Sequence, residues 1–192
     1  MQDNTLYTIT VFSENVVAVL NQITLIFTRR QMNIETLSGS PSAISGIHKL
    51  TITTFASTEE AIQKLVKQID KRVDVLKAYY NIDEELVHQE IALYKIETAK
   101  LVSITNVEEL IRKHNARILD MSDHSTVLQK TGHYEETQLL FEELRKTTGV
   151  LQFIRSGRVA ITKSKVERLS DLLARRARID AMKSEERIVN NE

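Results

Sequence analysis

The sequence predicts an α+β protein: two βαββαβ units in tandem, with a helix appended after the second. Three observations predict it. Runs rich in β-branched and aromatic residues with period-2 alternation recur as strand signals. Between them lie segments whose apolar residues repeat at helical spacing. The order strand, helix, strand, strand, helix, strand completes itself in about eighty residues and then begins again.

In the first unit, residues 6–12 (Leu-Tyr-Thr-Ile-Thr-Val-Phe) alternate as a strand. A helical pattern follows Asn15, with Val16, Val19, Leu20, Ile23, Ile26 and Phe27 on one face, and Arg29 and Arg30 placed to complement the helix dipole. A second strand is predicted over 34–40, turn residues over 41–46, and a third strand over 49–56. Ser57-Thr58-Glu59-Glu60 has capping-box spacing ahead of a helix carrying Ala61, Ile62, Leu65, Val66 and Ile69, and 73–80 reads as the closing strand.

Asn81 to Glu85 is polar and acidic and reads as a linker. The second unit opens with a strand over 90–97. A capping box at Thr105-Asn106-Val107-Glu108 precedes a helix with Leu110 and Ile111, and a hairpin follows over 116–121 and 125–129. Tyr134 to Lys146 reads as a helix stopped by Gly149, and a final strand over 150–154, extended by 158–162, completes the unit. From 164 to about 182 an amphipathic helix carries Val166, Leu169, Leu172, Leu173 and Ala177 on one side. That stripe needs cover, on its own sheet or on a partner, and ordinary amphipathic burial favours its own sheet. The predicted domains are therefore 5–81 and 88–162, with 163–192 as an appended helix and tail. The edges and second face of each four-stranded sheet need protection, which predicts a homodimer.

Composition removes many functions. Lys plus Arg and Asp plus Glu balance at 26 each, so no global field attracts nucleic acid or an anionic membrane. No cysteine is present, which excludes disulfides, thiolate catalysis and Cys-based metal sites and fits a reducing compartment. No basic, apolar leader and no run of about 20 apolar residues is seen, so the chain reads as soluble and cytoplasmic. With five scattered glycines there is no phosphate-cradling loop. The histidines, His48, His88, His114, His124 and His133, show no i, i+4 metal pair; His124 and His133 could meet across the second unit, but chance surface placement is the stronger reading. The runs Glu84-Glu85, Glu135-Glu136 and Glu142-Glu143 read as solvated faces. The third strand lacks the glycine and leading aromatics of an RNA-binding βαββαβ domain. No catalytic or metal site is predicted.

What remains is the loop Glu14-Asn15-Val16-Val17-Ala18 at the first strand–helix junction. Free N–H groups at a helix N-terminus favour an anion such as a carboxylate, and an Asn beside them can accept from an amine. That chemistry suits an α-amino acid. On the residues alone, Asn15 reads first as a plain helix N-cap.

Glu14-Asn15-x-x-Ala18-Val19-Leu20 and Phe27-x-x-Arg30-x-x-Asn33-Ile34-Glu35-x-Leu37 resemble the opening of the regulatory (small) subunit of acetolactate synthase. Val73-Asp74-Val75-Leu76-Lys77, Glu90-Ile91-Ala92-Leu93-Tyr94-Lys95-Ile96 and Arg155-Ser156-Gly157-Arg158-Val159-Ala160 resemble later motifs of that family, in order and spacing. The resemblance implies an ACT domain followed by a ferredoxin-like second domain, dimerising through the ACT domain. It implies a non-catalytic chain that activates a separate catalytic subunit carrying thiamine diphosphate, Mg²⁺ and FAD, and confers inhibition by valine or another branched-chain amino acid. The effector site it implies takes Asn15 and the backbone of Val16, Val17, Ala18, Val19 and Leu20 from one chain, with Asn33 and Ile34 from the other. The family's loop glycine is Ala18 here, and its following Arg is Gln22. Glycine there permits positive φ and close backbone approach, so the alanine methyl is expected to leave inhibition weak, altered or absent. A second reading is a stand-alone amino-acid-sensing ACT protein acting on another target.

Overall fold

A computed structural model describes residues 5–103 and 107–164, with Ala174 and Ala177 beyond them. The described residues up to Leu86, with those from Thr162 onward, form one compact unit, and Val87–Ile161 form the second.

The first unit runs β1 (Thr5–Glu14), α1 (Val19–Arg29), β2 (Thr36–Pro41), β3 (Ile47–Ala56), α2 (Glu59–Asp70) and β4 (Val75–Asn81). Its antiparallel sheet has the order β2-β3-β1-β4. Opposite Ile9 lie Ile52 on β3 and Tyr80 on β4, so alternate residues of three strands share one face. That face buries Tyr7, Ile9, Val11, Leu50 and Ile52 against Ile23, Ile26 and Phe27 of α1 and Ile62, Leu65 and Ile69 of α2. Each such side chain contributes about 1.5–3 kcal/mol on leaving water. The cap of α2 sits one residue later than the Ser57-Thr58-Glu59-Glu60 spacing implies: the Thr58 side chain accepts the Ala61 N–H at 3.3 Å, and Glu59 and Glu60 fill the first turn. At its other end, Asp70 Oδ1 accepts the Ala78 N–H at 2.7 Å and ties α2 to β4.

α1 departs from the sequence pattern. It starts at Val19, three residues later than the apolar spacing implies, because Ala18 is left-handed at φ 76°. Val16 and Val17 therefore leave the buried face, Val17 being 98% exposed, and Leu20 is also turned outward.

The linker is shorter than expected, a single 3-10 turn over Asp83–Glu85 before β5 (Leu86–Glu97). The second unit continues with α3 (Thr98–Val102), which the apolar spacing did not reveal, then α4 (Val107–Lys113), β6 (Arg117–Met121) and β7 (Ser125–Gly132). It ends with α5 (Tyr134–Thr147), β8 (Gln152–Arg155) and β9 (Val159–Thr162). Its sheet repeats the first, in the order β6-β7-β5-β8, with β9 also pairing β5. The core joins Ala92, Tyr94, Ile96 and Leu128 to Leu101, Leu110, Leu140 and Leu144. Phe153 stacks between Tyr94 and Phe141 at 5.1 and 4.5 Å. Both units are thus ferredoxin-like α+β folds. The capping residues Thr105 and Asn106, and the appended helix except Ala174 and Ala177, lie outside the described residues. Those two are helical and exposed, so Ala177 does not belong to a buried stripe.

Candidate functional site

The β1–α1 loop is held from below by its own backbone. Glu14 donates its N–H to Asp74 O at 2.9 Å, Asn15 to Gly46 O at 3.0 Å, and Val16 folds back to Glu14 O at 3.0 Å. The first turn of α1 then closes through Gln22 N–H to Ala18 O at 2.9 Å. Among the described residues no backbone carbonyl accepts from Val17, Ala18, Leu20 or Asn21. These donors sit at the positive end of an 11-residue helix with no side-chain cap and no acidic residue in its first turn. The arrangement favours a carboxylate.

Asn15 is not the N-cap. Ala18 holds that position, so Asn15 lies three residues upstream with its side chain exposed. The simpler sequence explanation of Asn15 falls, and its amide is available beside the donors. Ala18 has φ 76° and ψ −6°, a conformation glycine adopts without penalty and alanine adopts at a cost of about 1–2 kcal/mol.

Asn33 and Ile34 lie elsewhere. The Asn33 carbonyl accepts from Thr54 Oγ1 at 2.6 Å, and Thr54 pairs with Tyr7 near the start of β1, whereas Asn15 follows its end. At about 3.4 Å per strand residue the two asparagines stand roughly 25 Å apart within one chain. The Asn33 end carries an open cleft of about 790 Å³ lined by Arg29, Arg30, Gln31, Asn33, Glu35 and Phe55 among others. Arg30 is engaged there, donating to Gln68 Oε1 at 3.0 Å and Lys64 O at 3.3 Å. Ile34 is half-buried and packs against the unit's own core.

The second unit holds a buried polar network that sequence spacing did not show. Thr137 Oγ1 and Arg155 donate to Glu90 Oε1 at 2.6 and 3.1 Å, and Tyr94 donates to Thr137 O at 2.7 Å. Burial, and then the charge of Glu90, push the Tyr94 hydroxyl well above its ordinary pKa. The guanidinium of Arg155 lies 4.2 Å over the Tyr134 ring. Ser156 Oγ accepts the Ile91 N–H at 2.9 Å, and the Ser156 N–H returns to Ile91 O at 2.9 Å. The Arg155-Ser156-Gly157 motif therefore fastens the β8–β9 bend to β5.

Other titratable groups do structural work. His133 meets His88 edge-on at 4.6 Å, a contact with β5 that sequence spacing did not show. Glu143 is not merely solvated: it binds Lys113 at 2.7 Å and His114 at 2.8 Å, and those two hydrogen bonds, Lys113 first, lower its pKa. No group of three metal-ligating side chains occurs among the described residues, and no described helix is long and apolar enough to cross a membrane.

Two ferredoxin-like units in tandem, the first with an exposed, donor-rich strand–helix loop, give a fold of the ACT class. Residues 9–77 match the model of the AHAS small subunit-like ACT domain, and residues 89–164 match that of the small subunit of acetolactate synthase. The Bacillus subtilis acetolactate synthase small subunit is 31% identical over 152 residues, spanning 79% of this chain and 87% of that protein. The chloroplastic small subunit 2 of Arabidopsis thaliana is 30% identical over 157 residues, 82% of this chain and 32% of its own length. The crystal structure of the Thermotoga maritima small subunit covers 84% of this chain and 99% of its own, with a TM-score of 0.74 at 23% identity, and shows the shared fold. This chain belongs to the acetolactate synthase small-subunit family, the regulatory subunits of that enzyme.

Proposed function

We propose that this chain binds and activates a separate acetolactate synthase catalytic subunit and makes it responsive to valine or another branched-chain amino acid. The observation that supports the effector reading is the β1–α1 loop: free backbone donors at Val17, Ala18, Leu20 and Asn21, with an uncommitted Asn15 amide beside them. An α-carboxylate meets the donors and an α-amine meets the Asn15 oxygen. Because Asn33 lies at the opposite end of the sheet, the full site takes one asparagine from each chain of a dimer formed through the ACT domain. The chain itself carries no catalysis in this proposal. Thiamine diphosphate, Mg²⁺ and FAD belong to the catalytic partner, and the assembly works in the cytoplasm.

The test mixes purified chain with its catalytic partner and follows acetolactate formation with and without valine. The rate rises on mixing, and valine lowers it again. No association and no change in rate would refute the proposal. Calorimetric binding of an amino acid by the chain, with the synthase unaffected, would identify an amino-acid sensor that acts on another target.

A further inference from the structure

The two sheets treat their helix-free faces differently. In the second unit the central-strand residues on that face, Ile91 and Leu93 of β5, are 44% and 36% exposed. The equivalent residues of the first unit, Thr8 and Thr10 of β1, are 1% and 3% exposed, and their neighbours Thr53 and Thr51 on β3 are 2% and 5%. Both helices of the first unit lie on the opposite face, against Ile9, Val11 and Ile52. Small side chains on a bare sheet stay accessible, so near-complete burial means this face is covered.

The face suits an apolar cover. Thr36 and Thr53 share a hydrogen bond of 2.7 Å, and Thr10 bonds Tyr79, so these hydroxyls are satisfied within the sheet and need no polar partner from the cover. Burial also lowers the Lys49 pKa and raises that of Tyr79, both on the same face.

The chain supplies a cover of the right kind and origin. The family match ends at residue 164, and the sequence beyond it carries Val166, Leu169, Leu172 and Leu173 at helical spacing. From Thr162 onward the described residues belong to the first unit again. Lys163 donates its N–H to Glu85 O and its Nζ to Glu84 O, each at 2.8 Å, while Glu85 holds Asn81, which pairs with Thr8. A helix over 165–182 spans about 27 Å at 1.5 Å per residue, the length of one of these strands.

We propose that residues 165–182 of this chain dock through Val166, Leu169, Leu172 and Leu173 onto the threonine face of the first sheet. The segment is then an intrachain cover peculiar to the part of the sequence beyond the family match. It leaves the apolar face of the second sheet as the open one.

The absence of cysteine makes the test clean, because two introduced thiols are the only ones present. Thr10→Cys is paired in turn with Leu169→Cys, Leu172→Cys and Leu173→Cys in the full chain, with Leu93→Cys replacing Thr10→Cys as the control. Under mild oxidation at least one Thr10 pair closes an intrachain disulfide tenfold or more faster than the Leu93 pairs. Equal rates, or links only between chains, would overturn the proposal. As a second readout, Leu169→Asp/Leu173→Asp raises acylation of Lys49 several-fold. An unchanged rate in a folded variant also counts against it.

Discussion

Replacing Ala18 by glycine stabilises the protein and, under the proposed effector reading, strengthens valine binding. The left-handed backbone at φ 76° costs an L-residue about 1–2 kcal/mol, and glycine removes that cost. Glycine also enlarges the unfolded ensemble, which returns about 0.4–1 kcal/mol. The alanine side chain is exposed, so no packing is lost. The net gain is about 0.5–1 kcal/mol, a rise of a few degrees in the unfolding midpoint of a unit this size. Ala18→Val moves the other way by more than 1 kcal/mol, because a β-branched residue fits that conformation worst. Denaturant unfolding of the three proteins measures the first effect and valine calorimetry the second. A glycine variant no more stable than the parent, with a valine variant no worse, would refute the left-handed geometry and the strain argument built on it. A stabilised variant with unchanged valine affinity would leave the geometry standing and remove the methyl as an obstacle.

The remaining predictions concern both units. Asn15→Ala and Asn33→Ala each abolish the branched-chain amino acid response of the assembled synthase while leaving its rate without effector near that of the parent; an unaltered inhibition curve in both would remove them from the site. Thr137→Val takes a donor from the buried Glu90 carboxylate and lowers unfolding free energy by about 1–3 kcal/mol, read by denaturant titration. Glu143 has a depressed pKa in the folded state, so its contribution is present above the ordinary value of 4.5 and is lost as pH falls through the folded value. The stability gap between the parent and Glu143→Gln is therefore full at neutral pH and closes on acidification below that point. A gap constant with pH would contradict the ion pairing.

Local chemistry was legible in the sequence where neighbours decide it. The presence of a cap ahead of α2 (though at Thr58, one residue past Ser57), the alternation of Ile9 and Val11, and the stop after α5 at Gly149 follow from residues a few positions apart. The start of α1 was not legible, because Val16 and Val17 fit helical spacing and only the backbone turn at Ala18 removes them. Long-range partners were invisible for a related reason. The Arg155-Ser156-Gly157 motif was recognisable, yet its bonds to Glu90 and Ile91 bridge about sixty-five residues of chain. The threonines of β1 and β3 alternate as a solvent-facing set would, and nothing local records that they are buried.

The separation of Asn15 from Asn33 gives the proposed effector site its sharpest test. If each site takes Asn15 from one chain and Asn33 from its partner, a symmetric dimer contains two such sites. A dimer of Asn15→Ala chains has none intact, and neither has a dimer of Asn33→Ala chains. A mixed dimer has one site with both asparagines and one with neither. After equal amounts are unfolded together and refolded, random pairing makes half the dimers mixed, so about a quarter of all sites recover. Valine calorimetry of the refolded mixture should then show about a quarter of the parent's binding capacity at the parent's affinity, where each variant alone shows none. Recovery at that level requires the site to be shared. With one variant isotopically labelled so that mass distinguishes the mixed dimer, no recovery from a mixture that contains it would place both asparagines on the same chain's site or outside it.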